Sequence, residues 1–257
     1  YNRNPSGSTT WTNTALFPDR DTRSWSTFLL RAAGNDWNQS LFRDALVSSI
    51  AAPTGLDRQA ARPAVLFLNG EYWGIHNLRE RIDEDWVFHK YGLSGSQYAV
   101  LEVTSGGANF LNPTSDNSQP IFDFGNTDLL SDYKDILAQA GNNEFSGDSG
   151  YAGLNSRVDV ANFIDYSAVT IWSGNTDWPG NNVLMWRSLS SAPNSNPKLD
   201  GRWRYILKDN DFALGLNFNY VPGYNSNVTQ MAQFDTLSYA TTSAATTWAN
   251  NEISTRL

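Results

Sequence analysis

The sequence feature that most constrains the fold is an Asn-Gly pair between two extended apolar runs. Asn69 and Gly70 separate residues 64–68 from residues 71–78. Both residues tolerate the positive φ angles of a two-residue type I′ turn, so this segment predicts a β-hairpin. A further strand is predicted over residues 98–103. The first half of the chain is therefore expected to be rich in strands.

The second half of the chain changes to helical periodicity. Two apolar stripes recur at the spacing of one helix face, at Leu130, Tyr133, Leu137 and Ala140, and at Val160, Phe163, Ile164, Ala168 and Ile171. Two strands, residues 183–187 and 202–207, are predicted to follow them. The class is α+β, with a strand-rich N-terminal lobe over about residues 1–104, a linker over about 105–127 and a helix-rich C-terminal lobe over about 128–257. The chain is expected to continue beyond its last residue.

Charge and composition exclude several classes of protein. The 18 Lys and Arg against 26 Asp and Glu give a net charge of −8, which disfavours binding to nucleic acid because that affinity depends on cations at phosphates. No apolar run approaches the length that spans a bilayer, so no transmembrane segment is predicted. The absence of cysteine excludes disulfides and thiolate metal sites. Few lysines among many Asn, Ser, Thr, Trp and Tyr residues favour an extracellular protein.

Four polar residues form the constellation that is expected to carry chemistry. Asn182 begins one of the late strands, and Asp209 and Asp211 follow the other. If the two strands pair as a hairpin, Asn182 lies beside Asp209, with Asp177 in the loop above them. Carboxylate and amide oxygens suit Mg²⁺, and a remaining aspartate is able to act as a base toward a hydroxyl. Asp177 is predicted to lie outside the core, in a loop containing Pro-Gly.

The spacing of these residues is that of a phosphotransferase. Protein kinases place a catalytic Asp five residues before a metal-binding Asn, as Asp177 precedes Asn182, and add a metal-binding Asp after a strand. The stretch Asp177-Trp-Pro-Gly-Asn-Asn182-Val-Leu-Met185 also resembles the catalytic loop of aminoglycoside and choline kinases. An ordinary turn remains the alternative for the Pro-Gly loop. An EF-hand at Asp209 is excluded because its glycine is displaced to Gly215, which leaves a structural Ca²⁺ elsewhere open.

The chain resembles one family, the spore-coat protein H kinases (CotH-like), over about residues 25–217. The matching pieces lie at residues 28–31, 34–36, 42–46, 69–74 and 78–83, followed by Asp177, Asn182, Asp209, Asp211 and Gly215. The most specific of them is Asn-Gly-Glu-Tyr-Trp-Gly at residues 69–74. The resemblance implies an atypical protein kinase with a two-lobed kinase-like fold. It also implies an ATP–Mg²⁺ site between the lobes and secreted or coat proteins as acceptors.

The sequence departs from the family pattern at its cations. The usual Trp-Asp of the last motif is Lys208-Asp209, and we find neither a glycine-rich phosphate loop nor a lysine on an N-terminal strand. Arg31 and Arg79 are the candidates to contact phosphates in place of that lysine, with Arg81 as a third. Glu80 is expected to orient whichever arginine does so.

The predicted function is therefore that of a secreted atypical protein kinase, located outside a bacterial cell or on its surface. Asp177 is the predicted base, and Asn182, Asp209 and Asp211 are the predicted ligands for Mg²⁺ or Mn²⁺, with ATP as the phosphoryl donor. A secreted or surface protein is the expected acceptor, and transfer of AMP instead of phosphate stays open. One alternative is a catalytically degenerate kinase fold with surface assembly partners. Another is an extracellular carbohydrate-binding or glycan-acting module, indicated by the tryptophan content.

Overall fold

The computed structural model of the 257-residue chain describes Thr10 and residues 14–103, 120–179, 181–189, 196–216 and 235–241. The strands in this part are β1 (Leu29–Arg31), β2 (Asp57–Arg58), β3 (Ala61–Leu68), β4 (Glu71–Arg79), β5 (Tyr98–Val103), β6 (Pro120–Gly125), β7 (Val183–Ser188) and β8 (Arg204–Leu207). The α-helices are α1 (Arg43–Ile50), α2 (Glu84–Tyr91), α3 (Leu129–Gly141), α4 (Gly147–Arg157), α5 (Val160–Trp172) and α6 (Thr236–Thr241). Single turns of 3₁₀-helix lie at Gly34–Asp36, Ala52–Thr54 and Gly95–Gln97. This mixture of helices and sheets confirms the predicted α+β class.

The predicted hairpin is present as β3 and β4. Leu68 pairs with Glu71 across the turn, where Asn69 and Gly70 have φ angles of 51° and 85°. The third strand, β1, pairs with the other edge of β4, which gives a three-stranded antiparallel sheet in the order β1-β4-β3. The turn chemistry of the Asn-Gly pair therefore sets the register of this sheet.

A second sheet of five strands has the order β2-β8-β7-β5-β6. Its pairs are antiparallel except for β2 and β8, and the predicted β7–β8 hairpin is present, with Leu184 opposite Ile206. The sheet combines strands from both halves of the sequence. Of the predicted linker, residues 105–119 lie outside the described residues and Pro120–Gly125 form β6, whereas the lobe boundaries stay a prediction.

The two faces of the five-stranded sheet are covered by different helices, because successive side chains on a strand point to opposite faces. One face packs against α3, α4 and α5, in a core cluster that includes Tyr133, Leu154, Tyr166, Met185, Trp203 and Tyr205. The other face packs against α2, in a cluster that includes Trp86, Val87, Tyr91, Trp186 and Ile206. Among the described helices, none is long and apolar enough to cross a membrane.

Helix α5 is present, and the predicted apolar stripe coincides with its buried face in part. Val160 is buried, and Phe163 and Ile171 pack against the main core cluster, whereas Ile164 and Ala168 are exposed. The buried face also includes Tyr166 and Thr170, on the side of the helix that packs on β8.

A fully buried aspartate on the edge strand β2 is saturated with donors. The carboxylate of Asp57 accepts hydrogen bonds from the Tyr91 hydroxyl at 2.6 Å and from Nε1 of Trp186 at 2.9 Å. It also pairs with the ammonium groups of Lys90 at 2.7 Å and Lys198 at 2.9 Å. Burial alone raises the pKa of Asp57, but the two lysines and the hydrogen bonds outweigh it and lower the pKa to about 2. This carboxylate holds α2 and the loop before β8 against the sheet edge.

Candidate functional site

Asp177 lies in the loop between α5 and β7, and its carboxylate is held by the amides of the same loop. Oδ2 of Asp177 accepts hydrogen bonds from Nδ2 of Asn181 at 2.8 Å and from Nδ2 of Asn182 at 2.6 Å. The backbone N–H of Asp177 donates to Oδ1 of Asn175 at 3.0 Å. The interval of five residues between Asp177 and Asn182 therefore corresponds to a direct side-chain contact.

The prediction that Asp177 lies outside the core is wrong. Its side chain is only 2% exposed, and the adjacent Trp178 belongs to the main core cluster. The loop also packs on the segment after β8, where the N–H and the hydroxyl of Thr176 both lie 3.4 Å from the carbonyl oxygen of Phe212. The Pro-Gly composition indicated a surface turn, but the tryptophan beside the aspartate draws the loop into the core.

Asp209 and Asp211 follow β8 in a turn that faces the N-terminal part of the chain. Asp211 is 1% exposed, and its Oδ2 accepts a hydrogen bond from the backbone N–H of Asn35 at 2.7 Å. Asp209 is partly exposed and has a φ of 49°. The N–H of Asn210 donates to Oδ1 of Asp44 at 2.9 Å. The 3₁₀ turn and the start of α1 are thus bonded directly to the acidic turn.

Arg31, at the end of β1, bridges the two sheets through three carboxylates. Its Nη2 lies 3.1 Å from Oδ2 of Asp211 and also forms a short ion pair with Asp209. Its Nη1 lies 3.4 Å from Oδ2 of Asp44, and this oxygen also forms an ion pair with Nη1 of Arg79 at 2.8 Å. Arg31 is therefore brought to the predicted acidic pair, and Arg79 joins it through Asp44, whereas Arg81 pairs with Asp83 at 3.7 Å. Asp44 was not among the predicted site residues, although it stands in the family-like stretch at residues 42–46.

Gly34 leaves the room that this contact needs. Its φ is +59°, and a Cβ atom at this position would overlap Oδ2 of Asp211 and Nη2 of Arg31. Only glycine combines this backbone conformation with so close an approach.

Glu80 lies in a different cluster from the one predicted. Its Oε2 pairs with Nη2 of Arg20 at 2.9 Å and accepts from the N–H of Ala60 at 3.0 Å. Within the described residues, Glu80 anchors the segment before β1 and does not orient Arg31 or Arg79. Arg20 comes from a polar stretch with no secondary-structure pattern, so no local sequence pattern indicates this pair.

The electrostatics of the site are those of crowded, buried carboxylates. Burial raises the pKa of Asp177 to about 7, and the charges of Asp209 and Asp211 add to the rise, although Asn181 and Asn182 oppose it. Burial also raises the pKa of Asp211 to about 6, with Asp209 as the main charge that contributes. Within the described residues, Oδ1 of Asp177 and Oδ1 of Asp211 are buried without a hydrogen-bond partner. Two oxygens in this cluster therefore lack the donors that burial normally requires.

The unpaired oxygens of Asp177 and Asp211 bear on whether the site is able to hold a divalent cation. Among the described residues there is no group of three or more His, Cys, Asp or Glu side chains arranged to hold a metal. Mg²⁺, however, is usually held by one or two carboxylates together with substrate phosphates and water. Asp211, with one unpaired buried oxygen, fits that role, and the partly exposed Asp209 lies beside it. The side-chain N–H of Asn182 donates to Asp177, so the side-chain carbonyl oxygen of Asn182 is left to bind a cation.

The family model described as CotH kinase protein matches residues 8–256. The chain belongs to the CotH kinase family. This confirms the family that the motifs predicted, over a longer stretch than residues 25–217. No curated protein matches the chain.

Lys208, one of the departures from the pattern of the CotH kinase family, forms an ion pair beside the acidic turn. Lys208, which stands before Asp209 in the position of the usual tryptophan, extends to Glu102 on β5, and the Nζ to Oε1 distance is 2.6 Å. Both side chains are about one-fifth exposed. The ammonium group of Lys208 therefore lies next to the acidic turn, at the end of the five-stranded sheet, and is paired with Glu102.

Proposed function

We propose that this CotH kinase family chain transfers the γ-phosphate of ATP to a Ser or Thr hydroxyl of a secreted or cell-surface protein. The observation that carries the proposal is the pair of buried aspartates, Asp177 and Asp211, that each keep one oxygen without a partner. Among the described residues these are the only carboxylate oxygens that are buried without a partner, and a buried carboxylate oxygen is costly to leave unpaired. These two oxygens are available for a substrate proton and a cation.

Asp177 is the proposed base. As the acceptor hydroxyl oxygen forms its bond to the γ-phosphorus and the bond to the bridging oxygen breaks, the hydroxyl proton passes to Oδ1 of Asp177. A pKa of about 7 leaves this carboxylate partly ionised near neutral pH and well matched to proton transfer. Asn181 and Asn182 hold Oδ2, and so fix the direction of the unpaired oxygen.

Asp209 and Asp211 are the proposed ligands for Mg²⁺ or Mn²⁺, and the side-chain carbonyl oxygen of Asn182 is a further proposed ligand. When bound, the cation neutralises the phosphates of ATP, which an acidic chain with a net charge of −8 would otherwise repel. Arg31 is the cation nearest to this pair in the described residues, and Arg79 positions it through their shared partner Asp44. Arg31 is 24% exposed in its side chain and able to reach a phosphate.

A degenerate kinase fold with a role in surface assembly is the second candidate, and one observation favours it. The guanidinium of Arg31 is paired with three carboxylates. A cation would therefore have to engage carboxylates that are already paired, and a phosphate would have to engage a guanidinium that is already paired. In an inactive protein these ion pairs would only join the two sheets. The two candidates differ in whether the chain binds ATP at all.

Thermal unfolding with ATP, with and without Mg²⁺, tests the proposal. We expect millimolar ATP–Mg²⁺ to raise the melting temperature, because a ligand that binds only the folded state stabilises it by about 2.7 kcal/mol at a hundredfold excess over Kd. ATP in excess EDTA is expected to give no shift. Asp211→Asn should lose the shift, whereas Asp128→Asn, at an exposed position before α3, should retain it. No shift in the parent protein would favour the degenerate fold.

A further inference from the structure

The contacts of Arg31 are unusual for a residue that awaits a phosphate. Its guanidinium is within ion-pair distance of Asp44, Asp209 and Asp211, which belong to α1 and to the turn after β8. Asp44 has a second cation in Arg79, but in the described residues Asp209 and Asp211 have ion pairs only with Arg31. Arg31 is therefore the charge that compensates the acidic turn.

We propose that Arg31 is the built-in counter-ion of Asp209 and Asp211 in the cation-free protein, and that a divalent cation binds these carboxylates only by displacing the guanidinium. This inference rests on the proposed function, because it concerns the same acidic pair. It goes further in that it makes Arg31 a competitor of the cation and not only a contact for phosphate.

The space around the acidic turn supports competition over joint occupancy. Oδ2 of Asp211 is already shared by Nη2 of Arg31 and the N–H of Asn35. The carboxylate and the guanidinium lie so close to Gly34 that a Cβ there would overlap both Oδ2 of Asp211 and Nη2 of Arg31. A hydrated cation needs room for several oxygen ligands. The unpaired Oδ1 of Asp211 gives the cation a first contact, but its other ligand positions meet the guanidinium.

The side chain of Arg31 is able to turn toward solvent, whereas Asp44 and Arg79, which hold it, are buried. The side chain of Arg31 is 24% exposed, while those of Asp44 and Arg79 are 8% and 2% exposed. A displaced guanidinium is thus able to keep Asp44 as a partner and to turn toward solvent. There it is available to an anion. Cation and nucleotide are then expected to favour each other's binding, because the cation releases Arg31 to the phosphates and the phosphates hold Arg31 away from the carboxylates.

Titration with Mn²⁺ alone, without nucleotide, tests this proposal by calorimetry. Arg31→Gln removes the charge and keeps a side chain able to accept and donate hydrogen bonds. We expect it to bind Mn²⁺ about five- to a hundredfold more tightly than the parent, the usual range for two coupled ligands. Arg187→Gln is the matched control. It removes one positive charge from the far end of β7, where Asp132 keeps Arg157 as a partner, and should leave the affinity unchanged.

A second variant and a second measurement protect the test against misfolding. Arg31→Lys retains the charge but presents a single ammonium in place of the guanidinium fork, so it should bind Mn²⁺ with intermediate affinity. If Arg31→Gln is unfolded without metal, Mn²⁺ should restore its circular-dichroism spectrum, because the cation replaces the missing charge.

The outcomes separate this proposal from the proposed function. Equal or weaker Mn²⁺ binding by folded Arg31→Gln, or an unfolded variant that Mn²⁺ does not restore, overturns the competition. If the parent protein still transfers phosphate in that case, the kinase function stands and Arg31 is a phosphate contact only. If no variant binds millimolar Mn²⁺, the acidic turn is not a cation site, and the competition is overturned together with the proposed metal ligands.

Discussion

The surroundings of two buried aspartates, Asp57 and Asp177, shift their pKa values in opposite directions. Asp57 receives two hydrogen bonds and two lysine ammonium groups, and its pKa falls to about 2. Asp177 receives two amide hydrogen bonds on one oxygen, has no partner on the other, and lies near further negative charge. Its pKa rises to about 7. The first carboxylate is neutralised internally, and the second retains capacity for a proton or a ligand.

The comparison shows that burial alone does not distinguish a structural carboxylate from a functional one. The distinction lies in the number and charge of the donors around the oxygens. Asp57 joins an edge strand to α2, and its donors leave it no further role. Asp177 and Asp211 form the part of the described structure where like charges are concentrated without full compensation.

The largest effect is expected from Asp177→Asn. This change removes the proposed base but keeps the shape of the side chain, so phosphate transfer should fall about 10²–10⁴-fold. Transfer from radiolabelled ATP to an acceptor protein measures it. The exposed Asp128→Asn should transfer at the parent rate. Transfer at the parent rate by Asp177→Asn would mean that Asp177 is not the base.

Asp57→Ala should lower the stability of the fold and not the rate of phosphate transfer. It leaves Lys90 and Lys198 without their shared buried partner, so the free energy of unfolding should fall by about 3–5 kcal/mol. Urea denaturation measures this loss, with Asp128→Asn as the control for an exposed aspartate. The transfer rate per folded molecule should stay unchanged. A loss below about 1 kcal/mol would show that the donors around Asp57 do not stabilise the fold.

The dependence of stability on pH should have opposite signs for the two aspartates. The lowered pKa of Asp57 stabilises the fold above the pKa of the unfolded chain, near 4, and this contribution is lost as the pH falls toward 2. The raised pKa of Asp177 makes the folded state bind more protons, so stability falls as the pH rises from about 4 to about 7. Urea denaturation in EDTA should show this fall, by a few kcal/mol at most, and Asp177→Asn should reduce it.

A smaller effect is expected from Asn181→Ala. The change removes one hydrogen bond to the ionised form of Asp177, so the pKa of Asp177 should rise by roughly half a unit to one unit. The acid limb of the pH profile of phosphate transfer should shift upward by that amount. Asn155→Ala, far from the site on α4, offers a control for loss of an amide and should not move the limb. An unshifted limb in Asn181→Ala would mean that the rate does not report Asp177.

Local patterns predicted much of the fold. The Asn-Gly turn indicated the hairpin, and the interval between Asp177 and Asn182 indicated that the two residues belong to one site. The direct hydrogen bond between them is seen only in the structure. These features depend on residues close in sequence, where turn geometry and spacing leave few alternatives. The order of the five-stranded sheet depends on pairs between distant segments, such as β2 with β8, and was not predicted.

The parts of the site that were missed are long-range. Arg31 and Asp209 are 178 residues apart, and the pairing of Asp44 with both arginines depends on how α1 sits against β1 and β4. The sequence predicts that Glu80 orients Arg31, Arg79 or Arg81, whereas its partner Arg20 comes from an irregular segment. Ionic partners of this kind are set by tertiary packing, which a single sequence does not display.

The absent side chain of Gly34 has a consequence for how the site is able to evolve. Because a Cβ there would overlap both Asp211 and Arg31, the three positions form one steric unit, and their substitutions are not independent. A residue other than glycine should be accepted at position 34 only in lineages where residue 31 is already shorter than arginine and the carboxylate at position 211 is replaced or displaced. The first such residue should be Asn, which tolerates a positive φ and adds no negative charge to the acidic turn. Paired substitution at these positions across the family would therefore mark the lineages that have changed the charge balance of the acidic turn.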